Sequence, residues 1–265
     1  MTAVATDIVP EIRPVRRGLT LPRLTGVELR KMLDTRAGFW LMASILITAL
    51  LATGAVILFA PEEDLTYVSF ATAIGFPMTV ILPLIAVLSV TSEWSQRSGL
   101  TTFTLIPHRS RAVGAKALAS LVVAVVSMLL AFTVGATGNV IGATVAGTDL
   151  VWDVSVVEGL SIVLGNVLGV AMGFALGMLI RSSPGAIVGC FVYAFIAPTL
   201  FGLLAASQEW FSDLQPWIDF HLTQTALFEG ALSAQQWAHL GVAGVLWLVV
   251  PLLLGLRVVL RSEVT

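Results

Sequence analysis

Charged residues are scarce in this chain. Asp, Glu, Lys and Arg make up 11% of the 265 residues, whereas hydrophobic residues make up 57%. A soluble domain carries about 25% charged residues, so the composition excludes an ordinary water-soluble protein and predicts an integral membrane protein. The only two lysines, Lys31 and Lys116, stand outside any GxxxxGK[ST] phosphate-binding loop. If the protein uses ATP, we expect a different chain to bind it.

Residues that form metal sites or catalyse reactions in membranes are also rare. The single cysteine, Cys190, excludes an intrachain disulfide and is interpreted as a small packing residue. His108 and His221 fall in loops without metal-ligand spacing, and His239 lies near the start of the last hydrophobic run. Because proteases, ion-coupled carriers and metal enzymes need ionisable groups at membrane depth, we expect no catalytic residue, no metal and no cofactor in this chain.

Six stretches lack acidic and basic side chains for long enough to cross a membrane. A bilayer core of about 30 Å needs about 20 helical residues, and the alternating pattern of a β-barrel is absent. The sequence therefore predicts an all-α, polytopic membrane protein with a transmembrane domain over residues 37–260. The six predicted spans are 38–60, 67–92, 112–137, 159–180, 184–207 and 238–258.

The charged residues between these spans are sorted by sign. All 14 Lys and Arg residues fall before span one, around the loop between spans two and three, between spans four and five, or near the C-terminus. The remaining loops carry acidic residues and no basic ones. Because Lys and Arg are retained on the cytoplasmic side of a membrane, this predicts a plasma-membrane protein with both termini in the cytoplasm, including a short tail at 261–265.

Two elements are predicted ahead of span one. Residues 1–21 contain two prolines and an arginine cluster and are interpreted as a disordered basic arm, which either contacts anionic lipid or is a solvated tail. In residues 22–36, apolar and charged residues are interleaved, with Leu24, Val27 and Met32 among the apolar ones. This pattern predicts an amphipathic helix at the inner membrane surface, acting as a docking element or an anchor.

Aromatic residues are concentrated between spans five and six. From about 207 to 237, residues such as Trp210, Phe211 and Trp217 are mixed with acidic and amide residues, a composition typical of the membrane interface. We expect short reentrant or interfacial helices here on the outer side, with a break at Pro216.

Small residues recur along one face of span four, at Gly165, Gly169, Gly173 and Gly177. Such spacing lets a second helix approach closely, either within the chain or in a second copy. Prolines at 77, 83, 198 and 251 and asparagines at 139 and 166 lie inside the hydrophobic runs. The prolines either shape a pathway or are ordinary membrane-helix prolines, and the asparagines either contact substrate or bond to backbone.

The loop after span two is the most patterned segment of the sequence. It runs from Glu93 through Gly99 to Arg111, and basic residues flank an apolar stretch at 100–106. Gly99 permits a break and Pro107 ends any helix between them. A short helix of this kind can enter a groove on a cytosolic partner.

Two segments resemble the permease subunit of a type-2 ATP-binding-cassette (ABC) exporter. Residues 27–36 are similar to the family's basic connecting helix, and residues 93–116 are similar to its coupling segment, in which Arg109 follows Pro107 by two positions. The resemblance implies ATPase contacts at Glu93, Arg97, Gly99, Leu100, Phe103, Pro107 and Arg109, and connecting-helix contacts at Glu28, Arg30 and Lys31. Six spans with internal termini agree with it along the whole chain.

The resemblance also implies partners and a path. Two cytosolic ATPase subunits would bind ATP and Mg²⁺, and a second copy of this chain or a homologous permease would complete the translocation path within membrane lipid. Nucleic acid is not expected as a partner. Kinks and aromatic content in spans two and five suggest Phe76, Thr79, Tyr193 and Phe195 as path residues, although core packing is the better explanation of each. A non-transporting membrane scaffold or immunity-type protein and a secondary carrier are the alternative functions.

Overall fold

A computed structural model describes residues 20–95 and 109–261 of the protein. These residues form helices and no strand. The helices are α1 (Leu21–Asp34), α2 (Arg36–Phe59), α3 (Tyr67–Ser95), α4 (Arg109–Ala146), α5 (Val156–Ile180), α6 (Ser183–Ser207), α7 (Glu209–Ile218), α8 (Phe220–Thr225) and α9, which begins at Ala234 and ends at Arg261. Short 3-10 turns lie at Glu62–Asp64 and Ala226–Phe228.

Six of these helices are long and apolar enough to cross a membrane: α2, α3, α4, α5, α6 and α9. This confirms the predicted all-helical protein with six candidate spans. Helix α4, which corresponds to the third predicted span, is longer than the predicted range of 112–137. It contains 38 residues and is about 57 Å long at 1.5 Å per residue. In the turns past residue 137, Gly138 and Gly142 let α4 pack directly against Phe70 of α3.

Side-chain caps define where several helices begin. Ser155 accepts a hydrogen bond from the backbone N–H of Glu158, and the Glu158 side chain accepts one from the backbone of Ser155. Ser233 and Gln236 form the same capping box at the start of α9. Each box satisfies backbone donors that a helix otherwise leaves unpaired. These polar caps therefore fix the starts of two long apolar helices.

Widened helical turns precede two of the prolines that lie inside the hydrophobic runs. A π-helical segment at Val192–Ile196 precedes Pro198 in α6, and another at Val245–Val249 precedes Pro251 in α9. Proline cannot donate a backbone hydrogen bond and its ring crowds the carbonyl four residues earlier. An inserted residue relieves that conflict by switching to bonds five residues apart, so both helices continue through the proline.

Helix α3 is at the centre of the bundle. Its Ile74, Met78 and Leu82 are almost completely buried and share one hydrophobic cluster with Met128 of α4 and Met178 of α5. Close packing of these side chains against one another fixes the relative positions of the helices. The helix that precedes the patterned loop is therefore packed on several sides by other spans.

The two ends of the bundle carry opposite charges. We call the end with the connections at 60–66, 147–155 and 208–233 the acidic end, and the opposite end, with Arg36 and Arg181, the basic end. At the acidic end, the backbone N–H of Val68 donates to Asp153 Oδ1 at 2.8 Å, and the Asn139 amide donates to the carbonyl of Val151 at 2.8 Å. These bonds fasten the 147–155 connection to α3 and α4.

Helices α7 and α8 occupy the aromatic segment between the fifth and sixth spans, where short helices were expected. The predicted break at Pro216 is wrong: Pro216 lies inside α7, and the chain turns at Asp219 instead. Asp219 Oδ1 accepts a hydrogen bond from the N–H of Leu222 at 3.0 Å, so this carboxylate starts α8. The indole of Trp247 in α9 donates to the carbonyl of Ile218 at 2.7 Å and holds the turn against the bundle.

Candidate transport cavity and basic-end ion pair

A cavity of about 510 Å³ lies between α3, α5, α6 and the segment 221–229. All four residues suggested for a path, Phe76, Thr79, Tyr193 and Phe195, line it. They come from helices that are far apart in sequence, and the fold brings them to one space. Phe76 is 70% exposed and Phe195 is 46% exposed, so the cavity reaches the surface of the chain.

A chain of two hydrogen bonds closes one wall of this cavity. The Tyr193 hydroxyl donates to Gln224 Oε1 at 2.7 Å, and Gln224 Nε2 donates to the backbone carbonyl of Gly165 at 2.8 Å. Gln224 is buried, and an unpaired amide at such a position is costly. These bonds therefore tie the segment 221–229 to α6 and α5 together.

The four predicted packing glycines of α5 explain how these walls approach one another. A Cβ at Gly165 would overlap the ring of Phe228, and one at Gly169 would stand 3.0 Å from Gln224 Nε2. A Cβ at Gly173 would overlap the backbone of Pro83, and one at Gly177 would stand 3.4 Å from the backbone of Val87. The glycine face thus packs within the chain, against the segment 221–229 with its first half and against α3 with its second.

Charge within the cavity is restricted to its acidic end. Among the described residues that line it there is one carboxylate, Glu229, and there is no lysine or arginine. His221 also lines the cavity, and its ring contacts the Tyr193 ring edge-on at 5.6 Å between centroids. Burial lowers the pKa of His221, with the nearby Asp219 acting in the opposite direction, so the imidazole is neutral at pH 7.

Most residues that line this cavity, including Glu229, were not identified as such from the sequence. Gln224, His221 and Cys190 all line the cavity, whereas His221 was assigned to a loop without a partner and Cys190 to packing. No pattern in the sequence places the segment 221–229 against Gly165, because that contact is made between residues 59 positions apart. The presence of polar residues in an aromatic-rich stretch was the only available signal.

The asparagines and hydroxyls inside the spans bond mainly to backbone. Asn166 donates to the carbonyl of Ile162 in its own helix at 3.0 Å, and Thr79 donates to the carbonyl of Phe76 at 2.7 Å. Neither Asn139 nor Asn166 lines the cavity. Within the described ranges, no group of three or more His, Cys, Asp and Glu residues is arranged to hold a metal ion.

A buried ion pair lies at the basic end. Lys116 Nζ of α4 is 2.6 Å from Glu28 Oε2 of α1, and Lys31 Nζ is 2.8 Å from Glu28 Oε1. Glu28 and Lys116 are buried, whereas the Lys31 side chain is 47% exposed. Lys116 also donates to the carbonyl of Ser89 in α3 at 3.3 Å. One lysine of α4 therefore joins α1 to the end of α3.

Helix α1 buries a face that contains a carboxylate. Leu24, Glu28 and Met32 are buried, while Val27 is 47% exposed. The three buried positions are spaced four apart and so share one helical face. Helix α1 packs on α4 with a carboxylate in the middle of its contact, because Lys116 supplies a partner there. Arg30 is exposed.

The ionisation of Glu28 follows from its partners. Burial by itself opposes the charged form, but the charge of Lys116 and the hydrogen bonds from Lys116 and Lys31 outweigh it, so the pKa of Glu28 lies below its ordinary value of 4.5. The carboxylate is therefore ionised at neutral pH, as the ion pair requires.

Hydroxyl pairs extend these contacts around the end of α3. Ser89 Oγ lies 3.1 Å from Ser120 Oγ of α4, and Thr91 Oγ1 lies 2.7 Å from Ser183 Oγ of α6. The last turns of α3 are thus bonded directly to α4 and α6. Helix α1 is bonded to them indirectly, through Lys116. The predicted coupling residues Arg97, Gly99, Leu100, Phe103 and Pro107 lie outside the described residues, while Glu93 and Arg109 belong to the helices on either side.

Comparison with known proteins gives no assignment: no family model matches the chain, and no curated protein matches it.

Proposed function

We propose that this chain is the permease subunit of an ATP-driven exporter and that its substrate occupies the cavity between α3, α5 and α6. The cavity itself carries the proposal, since its volume of about 510 Å³ is within the range of small-molecule binding sites. It is lined by apolar and aromatic side chains with few polar groups.

The proposed orientation places the basic end in the cytoplasm. Arg36, Arg181 and the other basic residues support it through the retention of positive charge on that side. Both termini are then cytoplasmic, and the chain belongs in the plasma membrane. Helix α7 lies at the outer interface, where its exposed Trp210 and Trp217 suit the headgroup region.

Coupling to ATP hydrolysis is assigned to the basic end. Helices α3 and α4 flank residues 96–108, and the Glu28–Lys116 pair joins α4 to α1. Two cytosolic ATPase subunits, which bind ATP and Mg²⁺, would seat against that loop and move these joined helices together. The exposed Phe76 and Phe195 support a path completed by a second copy or a homologous permease.

The test is co-purification of the chain with a cytosolic ABC ATPase from the same organism. We expect a stable complex in which the ATPase hydrolyses ATP faster than it does alone. Replacing Glu93→Ala or Arg97→Ala should lower transport per ATP hydrolysed, while Glu63→Ala at the opposite end should leave it unchanged. Absence of both complex formation and stimulated hydrolysis would reject the exporter function in favour of a non-transporting membrane protein.

A further inference from the structure

The lining of the cavity changes in character along its length. Toward the acidic end it contains Thr72, His221 and Glu229, whereas toward the basic end it contains Pro83, Leu84 and Met172. The Tyr193 hydroxyl and the Gln224 amide lie between these regions and bond to each other. A molecule that fills this space needs an apolar body at one end and tolerates a polar group at the other.

The polar end favours one sign of charge. Glu229 is exposed, and no described basic side chain forms an ion pair with it. No described lysine or arginine lines the cavity, so an anionic group would meet the Glu229 carboxylate without a compensating cation. A cationic group at the same place would be attracted by that carboxylate.

Aromatic rings add to this preference. Five line the cavity in addition to His221: Phe76, Phe191, Tyr193, Phe195 and Phe228. The face of an aromatic ring carries partial negative charge and attracts cations, most strongly where water is excluded. Apolar walls that would reject a compact hydrated ion therefore accept a positive charge that is spread over an apolar molecule.

We propose that the cavity binds a lipophilic cation, with its positive group near Glu229 and its apolar body between α3, α5 and α6. The role of this binding in export rests on the proposed function, but the binding itself does not require an ATPase. The site can therefore be tested on the purified chain alone.

Two ions of nearly the same size and shape provide the test. Tetraphenylphosphonium is a lipophilic cation and tetraphenylborate is its anionic counterpart. Binding of each is measured by equilibrium dialysis against the chain in nanodiscs of phosphatidylcholine, with empty nanodiscs subtracted. We expect saturable binding of the phosphonium and no saturable binding of the borate.

Glycine variants locate the site. Gly75 lines the cavity, and a Cβ there meets no atom within 4 Å, so Gly75→Phe places a ring in the open space. Gly54 of α2 also has no atom within 4 Å of such a Cβ but does not line the cavity, which makes Gly54→Phe the matched control. Gly75→Phe should abolish saturable phosphonium binding and Gly54→Phe should retain it. Ala194, on α6, also lines the cavity, and Ala194→Phe repeats the test if Gly75→Phe fails to fold.

The charge contribution is tested separately. Glu229→Gln keeps the shape of the side chain and removes its charge, and should weaken phosphonium binding by up to about fivefold, as for an exposed ion pair. Saturable borate binding as tight as that of the phosphonium, no phosphonium binding by the wild-type chain, or unchanged phosphonium binding in both cavity-filling variants would each overturn the proposal. Phosphonium binding without ATPase stimulation would instead reject the exporter function and leave the site standing.

Discussion

Glu28 lies in surroundings that the sequence pattern does not predict. A carboxylate interleaved with Arg30 and Lys31 on an amphipathic helix is expected in water, yet it is buried between α1 and α4. Burying an ionised side chain is costly unless a partner compensates it. Lys116 and Lys31 both provide that compensation, but only Lys116 does so from within the bundle.

Two lysine variants measure this difference on the same carboxylate. Lys116→Met removes the buried partner of Glu28 and should lower the free energy of unfolding by about 3 kcal/mol. Lys31→Met removes an exposed partner and should lower it by less than about 1 kcal/mol. Denaturant unfolding in detergent micelles checks both values. Equal losses in the two variants would show that the buried contact contributes no more than the surface one.

The lowered pKa of Glu28 also predicts the direction of a pH effect. A carboxylate with a lowered pKa in the folded state stabilises the fold fully above its unfolded pKa, and this contribution is lost as the pH falls through the folded value. The thermal midpoint of wild type should therefore exceed that of Glu28→Gln at pH 7, and the difference should shrink below about pH 4.5. A difference that stays constant down to pH 3 would contradict this assignment.

At the scale of helices, the position of α5 is decided by backbone contacts. Gly173 lies against the backbone of Pro83, which cannot rotate away as a side chain can. A second close crossing, absent from the sequence predictions, lies at Gly138, where a Cβ would stand 2.9 Å from the Phe70 ring. Small residues at helix crossings replace the hydrophobic effect with close van der Waals contact.

A single added methyl group tests the crossing of α3 and α5. Gly173→Ala should lower the free energy of unfolding by about 2 kcal/mol, because the Cβ overlaps the Pro83 carbonyl and forces the helices apart. Gly159→Ala in the same helix is the control, since its Cβ meets no atom within 4 Å, and it should be neutral or slightly stabilising. Gly173→Arg should prevent assembly altogether. If Gly173→Ala is as stable as Gly159→Ala, this close contact is absent in the folded protein.

At the scale of the whole molecule, the proposed orientation in the membrane rests on the charges of the two ends. Every described connection at the acidic end lacks lysine and arginine, while Arg36 and Arg181 lie at the basic end. The cavity is lined by segments from both halves of the chain. Its position relative to the membrane depends on the proposed orientation. A carboxylate such as Glu229 would then face the outside.

Cysteine labelling in intact cells tests that orientation. Glu63 at the acidic end and Ser182 at the basic end are both exposed, and the native Cys190 is buried. A membrane-impermeant maleimide should label Glu63→Cys in intact cells and should label Ser182→Cys only after the cells are permeabilised. The reverse pattern would invert the proposed topology and place residues 96–108 outside.

The number of spans and the sorting of charge were readable from the sequence because both depend on composition over short distances. A helix must satisfy its own backbone in lipid, so a run of about 20 apolar residues identifies a span without knowledge of its neighbours. The short helix at the N-terminus and the close-packing face of α5 follow from helical spacing in the same way. The coupling residues between 96 and 108 stay predictions.

Tertiary structure alone decided which residues meet. The pairing of Glu28 with Lys116, 88 residues apart, and the contact of Gln224 with Gly165 depend on how the helices are arranged, which local patterns do not encode. The same holds for the turn at Asp219 instead of Pro216, where a capping carboxylate outweighed a helix-breaking residue. Phe76, Thr79, Tyr193 and Phe195 were suggested singly by the sequence, and packing of α3 against α5 and α6 made them one cavity.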